Sequence, residues 1–128
     1  MCIKIERFIY KLTHFMCMKI DKESLLRINK GFGGNLLASS SLDFAISKQN
    51  DKKIGEFKKL AYLIRAILVD HPFSDGNKRT ATYLILTFTE KNNKRVDIDL
   101  LEQQVVSISR QNIIDIINIE RRLKNAIR

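Results

Sequence analysis

The sequence predicts an all-α protein, a single-domain helical bundle of about six or seven helices. Apolar residues recur at three- and four-residue spacing through most of the 128 residues, which is typical of helices that pack on a core. Strand signals are scarce, and the best of them, residues 95–98, is short. A hydrophobic content of 45% is enough to bury a core in a chain of this length.

The N-terminal part is predicted to be an extension, residues 1–19, that precedes the main domain of residues 20–128. Its apolar residues have the spacing of an amphipathic helix that packs on the bundle. The alternative is that translation starts later, at Met16 or Met18. The apolar stripe of the extension consists of Ile5, Phe8, Ile9, Leu12, Phe15 and Met16.

The main domain begins with two short helices. Asp21 is a suitable cap for a helix that contains Leu25, Leu26 and Ile28. This helix ends before residues 31–35, where three glycines permit positive φ and indicate a break. A second short helix is expected around residues 41–48, and a polar stretch, which extends to Gly55, follows it.

Two longer helices are predicted on either side of the chain's single proline. The first must end near Asp70, because the residue before Pro72 is disfavoured in the α region. The second is expected over residues 77–91. The pair therefore predicts a helix–loop–helix that presents its loop between two core helices. The apolar stripe of the first helix is Phe57, Leu60, Ala61, Ile64, Ile67 and Leu68.

The C-terminal part is predicted to contain two more helices. Asp99 and Glu102 have the spacing of a capping box, which indicates the start of a helix. The last helix is expected to carry an apolar stripe from Ile113 to Ile127.

The loop between the two longer helices concentrates the residues that carry chemistry. His71 is a candidate general base, since an imidazole can take a proton from a hydroxyl at neutral pH. Asp75 is a candidate Mg²⁺ ligand, because Mg²⁺ prefers few carboxylates together with phosphate oxygens. The structural alternatives are a loop histidine that bonds a helix C-terminus and an aspartate that caps the next helix.

The residues after Asp75 favour an anion at the start of the second helix. Gly76 lets the backbone approach a phosphate, and the free N–H groups from Asn77 onward attract negative charge. Lys78 adds a point charge, and Arg79 adds a planar fork for phosphate oxygens. A solvated first turn is the alternative, but cations there oppose the helix dipole unless an anion is bound.

The string His-Pro-Phe-Ser-Asp-Gly-Asn-Lys-Arg resembles the signature of the Fic/Doc family, His-x-Phe-x-Asp/Asn-Gly/Ala-Asn-x-Arg. Lys78 before Arg79-Thr80-Ala81, and Thr82 in place of a second arginine, resemble the Doc-like (death-on-curing) branch. Weaker matches at residues 33–45 extend the resemblance over about residues 20–95, so that residues 20–128 are expected to form a Fic/Doc-like domain.

The resemblance implies the all-helical Fic/Doc fold and an enzyme that uses ATP, or another nucleoside triphosphate, with Mg²⁺. In Doc-like toxins the γ-phosphate is moved to a threonine of a translation elongation factor, and in Fic-type enzymes AMP is moved to a protein hydroxyl. The implied site residues are His71 for catalysis, Asp75 for the metal, and Gly76, Asn77, Lys78 and Arg79 for the nucleotide.

The resemblance also implies partners. The acceptor would be a Ser, Thr or Tyr hydroxyl of a target protein, and Ser47–Gly55 occupies the place of the family's flap, which docks the target. Inhibition is expected either in trans, from an antitoxin, or not at all, because the sequence lacks the family's inhibitory pattern Ser/Thr-x-x-x-Glu-Gly/Asn. Phe73 is expected to anchor the loop in the core, and Ser74 to be solvated.

Two other functions stay open from the sequence. A net charge of +9 suits a helical module that binds nucleic acid, but the basic residues are dispersed and lack interleaved aromatics, so binding of nucleic acid is not the favoured interpretation. The other function left open is that of a catalytically silent domain that only binds a partner.

No apolar run approaches the ~20 residues of a membrane helix. The cytoplasm is the expected location.

Overall fold

Six α-helices and one short 3₁₀ helix form the part of the protein that the computed structural model describes, residues 20–128. No strand lies in this range, and isolated antiparallel bridges join Leu36 to Phe73 and Val96 to Ile127. The all-α prediction is confirmed for these residues, whereas the predicted N-terminal helix lies outside them. The elements are α1 (Lys22–Gly31), α2 (Ser40–Ser47), the 3₁₀ helix (Lys48–Asn50), α3 (Glu56–Leu68), α4 (Asn77–Lys91), α5 (Ile98–Arg110) and α6 (Ile116–Ala126).

Helix α3 occupies the centre of the bundle, where it packs against α2, α4, α5 and α6. A helix with neighbours on several sides needs apolar residues on more than one face. Burial of each leucine or isoleucine contributes about 1.5–3 kcal/mol, so this helix is a main source of stability. Its buried side chains are Leu60, Ala61, Leu63, Ile64, Ala66, Ile67 and Leu68.

The helix–loop–helix that the sequence predicts is present. Helix α3 ends at Leu68 and α4 begins at Asn77, so that residues 69–76, the connecting loop, lie between two core helices. Both helices bury their apolar stripes, which include Ile64 in α3 and Ile85 in α4. The loop is thus held between two helices whose apolar stripes are buried in the core.

Aspartates cap several helices, but one predicted cap is wrong. Asp21 caps α1 as expected: the backbone N–H of Ser24 donates to its Oδ1 at 2.8 Å, and this bond lowers the pKa of Asp21. At α5 the cap is Asp97, whose Oδ1 accepts from the N–H of Leu100 at 3.1 Å, and Asp99 lies inside the first turn. Asp97 takes this position because its backbone is extended and its own N–H is bonded to the carbonyl of Ala126.

The last helix is shorter than the sequence predicts: Ile113 lies before its start, and it ends one residue earlier than expected. Helix α6 stops at Ala126, and Ile127 is extended, with φ −113° and ψ 127°. Ile127 is buried and pairs with Val96, while Arg95 and Arg128 exchange two backbone hydrogen bonds. The strand signal at residues 95–98 therefore forms a single bridge. Within residues 20–128 no helix has the length and apolarity needed to cross a lipid bilayer.

Candidate active site

His71 is held in a strained backbone conformation. Its φ of 47° lies in the left-handed region, which few residues other than glycine adopt. Such strain costs of order 1–3 kcal/mol and is concentrated at functional sites. His71 is exposed, and none of the hydrogen bonds found within residues 20–128 involves its imidazole. The structure therefore offers no support for the alternative that this histidine bonds a helix C-terminus.

The connecting loop is paired along its length with residues 35–38, which we call the pairing segment. The N–H groups of Leu37 and Ala38 donate to the carbonyl of Pro72 at 2.8 and 3.3 Å. Ser74 N–H donates to the carbonyl of Asn35 at 2.8 Å, and Asn35 N–H donates to Ser74 Oγ at 3.0 Å. Ser74 is exposed, as expected, and it also holds the pairing segment through these two bonds.

Phe73 and Asn77 fasten the loop from the inside. The Phe73 ring is buried, with 2% of its surface exposed, which confirms its predicted role as an anchor. Asn77 Nδ2 donates to the carbonyl of Phe73 at 2.9 Å, and the N–H of Phe73 donates to Asn77 Oδ1 at 3.3 Å. The Asn77 side chain is thus committed to the loop, which leaves its backbone N–H, at the start of α4, as the group that can face a nucleotide.

Gly76 joins the loop to α4 in a conformation that favours glycine. Its φ is 73°, and a Cβ at this position would lie 3.0 Å from Phe32 Cβ and 3.1 Å from the Phe32 carbonyl oxygen. Both the left-handed backbone and the close approach of Phe32 exclude a larger residue without strain. The sequence suggested that Gly76 serves phosphate approach, and the structure adds this packing reason.

Asp75 is exposed at the rim of the loop, and its Oδ1 accepts a hydrogen bond from the N–H of Gly76 at 2.7 Å. The alternative that Asp75 caps α4 is wrong, because Gly76 holds the N-cap position and no side chain caps this helix. One exposed carboxylate beside the first turn of α4 fits Mg²⁺, which completes its ligands with waters and phosphate oxygens. Residues 20–128 contain no cluster of three or more His, Cys, Asp or Glu side chains that would hold a metal unaided.

Two adjoining cavities open around the first turn of α4. The polar cavity, of about 290 Å³, is lined by His71 and residues 74–79. The apolar groove, of about 500 Å³, lies between α4 and α5 and shares Lys78 and Arg79 with the polar cavity. Its other lining residues include Phe32, Thr82, Tyr83, Leu86, Ile98 and Val106.

The first turn of α4 is positively charged. Lys78 and Arg79 are exposed, the first turn of α4 holds no acidic residue, and neither cation forms an ion pair within residues 20–128. The free N–H groups at the helix start add to this potential. All predicted site residues thus surround one cavity that is suited to phosphate.

Thr80, which the sequence suggested as a further hydroxyl for the anion, does not face the cavity. It is fully buried, and its Oγ1 accepts a hydrogen bond from Asn29 Nδ2 at 3.1 Å. The same Nδ2 donates to the carbonyl of Asp75 at 2.8 Å. Asn29 was not among the residues predicted from the sequence, although one signal was present: it is four residues after Leu25, on the apolar side of α1.

The segment predicted to act as the flap, Ser47–Gly55, contains the end of α2, the 3₁₀ helix and a turn. Gln49 is buried there, and its Nε2 donates to the carbonyls of Ala45 and Lys59 at 3.1 and 3.2 Å. This segment is therefore tied to α2 and α3 rather than being an extended edge.

Comparison with known proteins agrees with the geometry. The model of the Fic/DOC family matches residues 35–89 of this chain. This match contains the pairing segment, the connecting loop and most of α4, and it confirms the Fic/Doc resemblance without distinguishing the Doc-like branch. No curated protein and no solved structure matches the chain significantly.

Proposed function

We propose that the protein transfers the γ-phosphate of ATP to a hydroxyl of a target protein, as Doc-like toxins do. Fic/Doc enzymes generally transfer part of a nucleotide to protein hydroxyls, which defines the reaction class. The observation that favours γ-phosphate transfer is the order of the two cavities. His71 lines only the polar cavity, Lys78 and Arg79 line both, and the apolar groove lies beyond them.

The groove is a suitable site for the base and ribose. Its volume, about 500 Å³, is within the usual range of small-molecule pockets, and Phe32 and Tyr83 pack edge to face on its wall. A nucleoside in the groove directs its triphosphate past Lys78 and Arg79 toward His71. The terminal phosphate then lies nearest the incoming hydroxyl.

The reaction follows from these positions. His71 accepts the proton of the target hydroxyl, whose oxygen attacks the γ-phosphorus, and the bond from that phosphorus to the bridging oxygen breaks to release ADP. Lys78, Arg79 and the N–H groups of α4 stabilise charge on the phosphate oxygens. Asp75 would hold Mg²⁺, which neutralises phosphate charge when bound.

The proposed setting is the cytoplasm, where ATP and translation factors are available. The proposed partners are a target protein with an accessible Ser, Thr or Tyr hydroxyl, in the Doc-like case a translation factor, and an antitoxin that inhibits in trans.

AMP transfer is the second candidate function. It is favoured by Gly76, the Fic-like residue at this position. In that reaction the α-phosphate lies beside His71, and the β- and γ-phosphates lie against the start of α4, which draws the base out of the groove.

The deciding experiment uses the purified full-length protein, Mg²⁺, a lysate of the source cells, and ATP labelled at either the α or the γ position. We expect a protein band labelled only from γ-labelled ATP, and no band with His71→Ala. Label only from α-labelled ATP that also depends on His71 would replace phosphorylation with AMP transfer. No label from either, together with steeply salt-dependent RNA or DNA binding, would favour the nucleic-acid function.

A second experiment tests the position of the base. Ile98 lines the groove and is 50% exposed, so Ile98→Glu places a carboxylate against the nucleoside and should weaken Mg·ATP binding at least tenfold. Ile114→Glu is the matched control, since Ile114 is 67% exposed and lies outside the groove. Equal ATP affinity of the two variants, measured by calorimetry, would contradict a base in the groove.

A further inference from the structure

We infer that Asn29 is a positioning residue, which orients the Asp75–Gly76 peptide so that the polar cavity can hold a nucleotide's phosphates. This inference rests on the proposed nucleotide-dependent function. Asn29 is outside the connecting loop and is 46 residues from Asp75 in sequence, yet it makes the only side-chain hydrogen bond to the Asp75 carbonyl within residues 20–128.

Burial of Asn29 is unfavourable for folding stability, which points to a role in positioning the site. Its side chain is 1% exposed, and its Oδ1 has no hydrogen-bond partner within the described residues. A buried amide with an unbonded oxygen is less favourable than a leucine of similar size, and Leu25 fills the equivalent position one turn earlier. A buried polar side chain that lowers stability is therefore expected to have a role in the functional site.

Both hydrogens of the amide are used on the connecting loop and α4. Nδ2 donates to the carbonyl of Asp75 at 2.8 Å and to Thr80 Oγ1 at 3.1 Å. The backbone carbonyl of Asn29 accepts from the N–H groups of Phe32 and Gly34 at 2.8 and 3.2 Å. One residue therefore connects α1, the glycine turn after it and the start of α4.

The consequence for the site follows from the planarity of the peptide bond. When the Asp75 carbonyl points inward to Asn29, the N–H of Gly76 must point in the opposite direction. There it donates to Asp75 Oδ1 at 2.7 Å, which fixes the carboxylate at the rim of the polar cavity. The amide of Asn29 thus determines where the candidate Mg²⁺ ligand lies, without contacting the nucleotide.

The test compares Asn29→Leu, Asn29→Asp and the control Thr89→Val in the full-length protein. Thr89 is buried on α4 and lines neither cavity, and its hydroxyl donates to the carbonyl of Leu86 within the same helix. We expect Asn29→Leu to remain folded by circular dichroism and to bind Mg·ATP at least tenfold more weakly, whereas Thr89→Val binds as the unsubstituted protein does. Unchanged Mg·ATP affinity in folded Asn29→Leu would overturn the inference.

Asn29→Asp is a second variant, close in size to asparagine, which keeps the test valid if Asn29→Leu fails to fold. Its carboxylate has no N–H group to donate to the Asp75 carbonyl. We therefore expect it to bind Mg·ATP at least tenfold more weakly and to shift the Gly76 amide resonance in ¹⁵N spectra, a readout that is specific to the Asp75–Gly76 peptide. Unchanged Mg·ATP affinity and an unshifted Gly76 resonance in Asn29→Asp would contradict the positioning role.

Failure of the proposed function is recognised separately. If the unsubstituted protein does not bind Mg·ATP at all, the nucleotide-dependent function is wrong. The positioning role is then decided by the amide resonance of Gly76 in ¹⁵N spectra. A shifted Gly76 resonance in Asn29→Leu, with no shift in Thr89→Val, supports the role, and an unshifted one refutes it.

Discussion

Gly34→Ala tests how tightly α1, the glycine turn and the connecting loop are packed together. A Cβ on Gly34 would overlap the Asn29 Oδ1 atom and the carbonyl oxygen of Asp75. Forcing an extra methyl into such a packed site costs about 1–3 kcal/mol. If the Asn29 amide moves aside, its hydrogen bond to Asp75 is also lost, which adds about 1 kcal/mol. We therefore expect the free energy of unfolding to fall by about 2–4 kcal/mol.

The measurement is thermal and urea unfolding followed by circular dichroism. At about 4 °C per kcal/mol for a domain of this size, Tm should fall by roughly 8–16 °C. Gly31→Ala is the matched control, since Gly31 lies in α1 and a Cβ added there would have no neighbouring atom within 4 Å. Alanine at this position should add up to about 1 kcal/mol of stability. If Gly34→Ala proves as stable as Gly31→Ala, the packing described around Asn29 is incorrect.

Three further substitutions test other parts of the fold. Gly76→Ala should lower the free energy of unfolding by about 1–2 kcal/mol because of its left-handed backbone, and further because the new methyl group contacts Phe32. Unfolding in urea measures this loss, and an unchanged stability would contradict the turn geometry. Asp21→Ala should cost about 1 kcal/mol at pH 7. Because the folded pKa of Asp21 is lowered, this difference should begin to shrink near the ordinary value of 3.8 and vanish as the pH falls through the lower folded pKa. A difference that persists in stronger acid would exclude the carboxylate as its cause. Asp97→Ala should also lower the free energy of unfolding by about 1 kcal/mol, and Asp99→Ala should lower it clearly less. The reverse order would indicate that Asp99 caps the helix.

The parts of the site that lie in one continuous stretch could be predicted from the sequence. His71 and residues 75–79 are adjacent in the chain, and Pro72 marks where the preceding helix must stop, so that local rules place them in a loop and at a helix start. The helices themselves follow from apolar spacing. None of this depends on contacts between distant residues.

The parts that could not be predicted depend on such contacts. A buried asparagine and an exposed one look alike in sequence, and Asn29 acquires its role only when α1 packs beside the connecting loop. The pairing segment has no strand signal, since its partners are the loop carbonyls rather than a sheet. The choice between Asp97 and Asp99 as cap was likewise decided by a distant bond, from Asp97 N–H to the Ala126 carbonyl.

The pairing segment has a consequence for the motions of the protein. Leu37 and Ala38 donate to the carbonyl of Pro72, and Ser74 and Asn35 exchange two hydrogen bonds. The connecting loop therefore cannot move away from the pairing segment without breaking all four bonds. We expect these amides to exchange with solvent deuterium as one cooperative unit. The walls of the apolar groove, by contrast, include partly exposed side chains such as Leu86 and Ile98, which can change rotamer within nanoseconds. A nucleotide bound as proposed should therefore arrive and leave by side-chain movement in the groove, at rates that the slower opening of the loop does not limit.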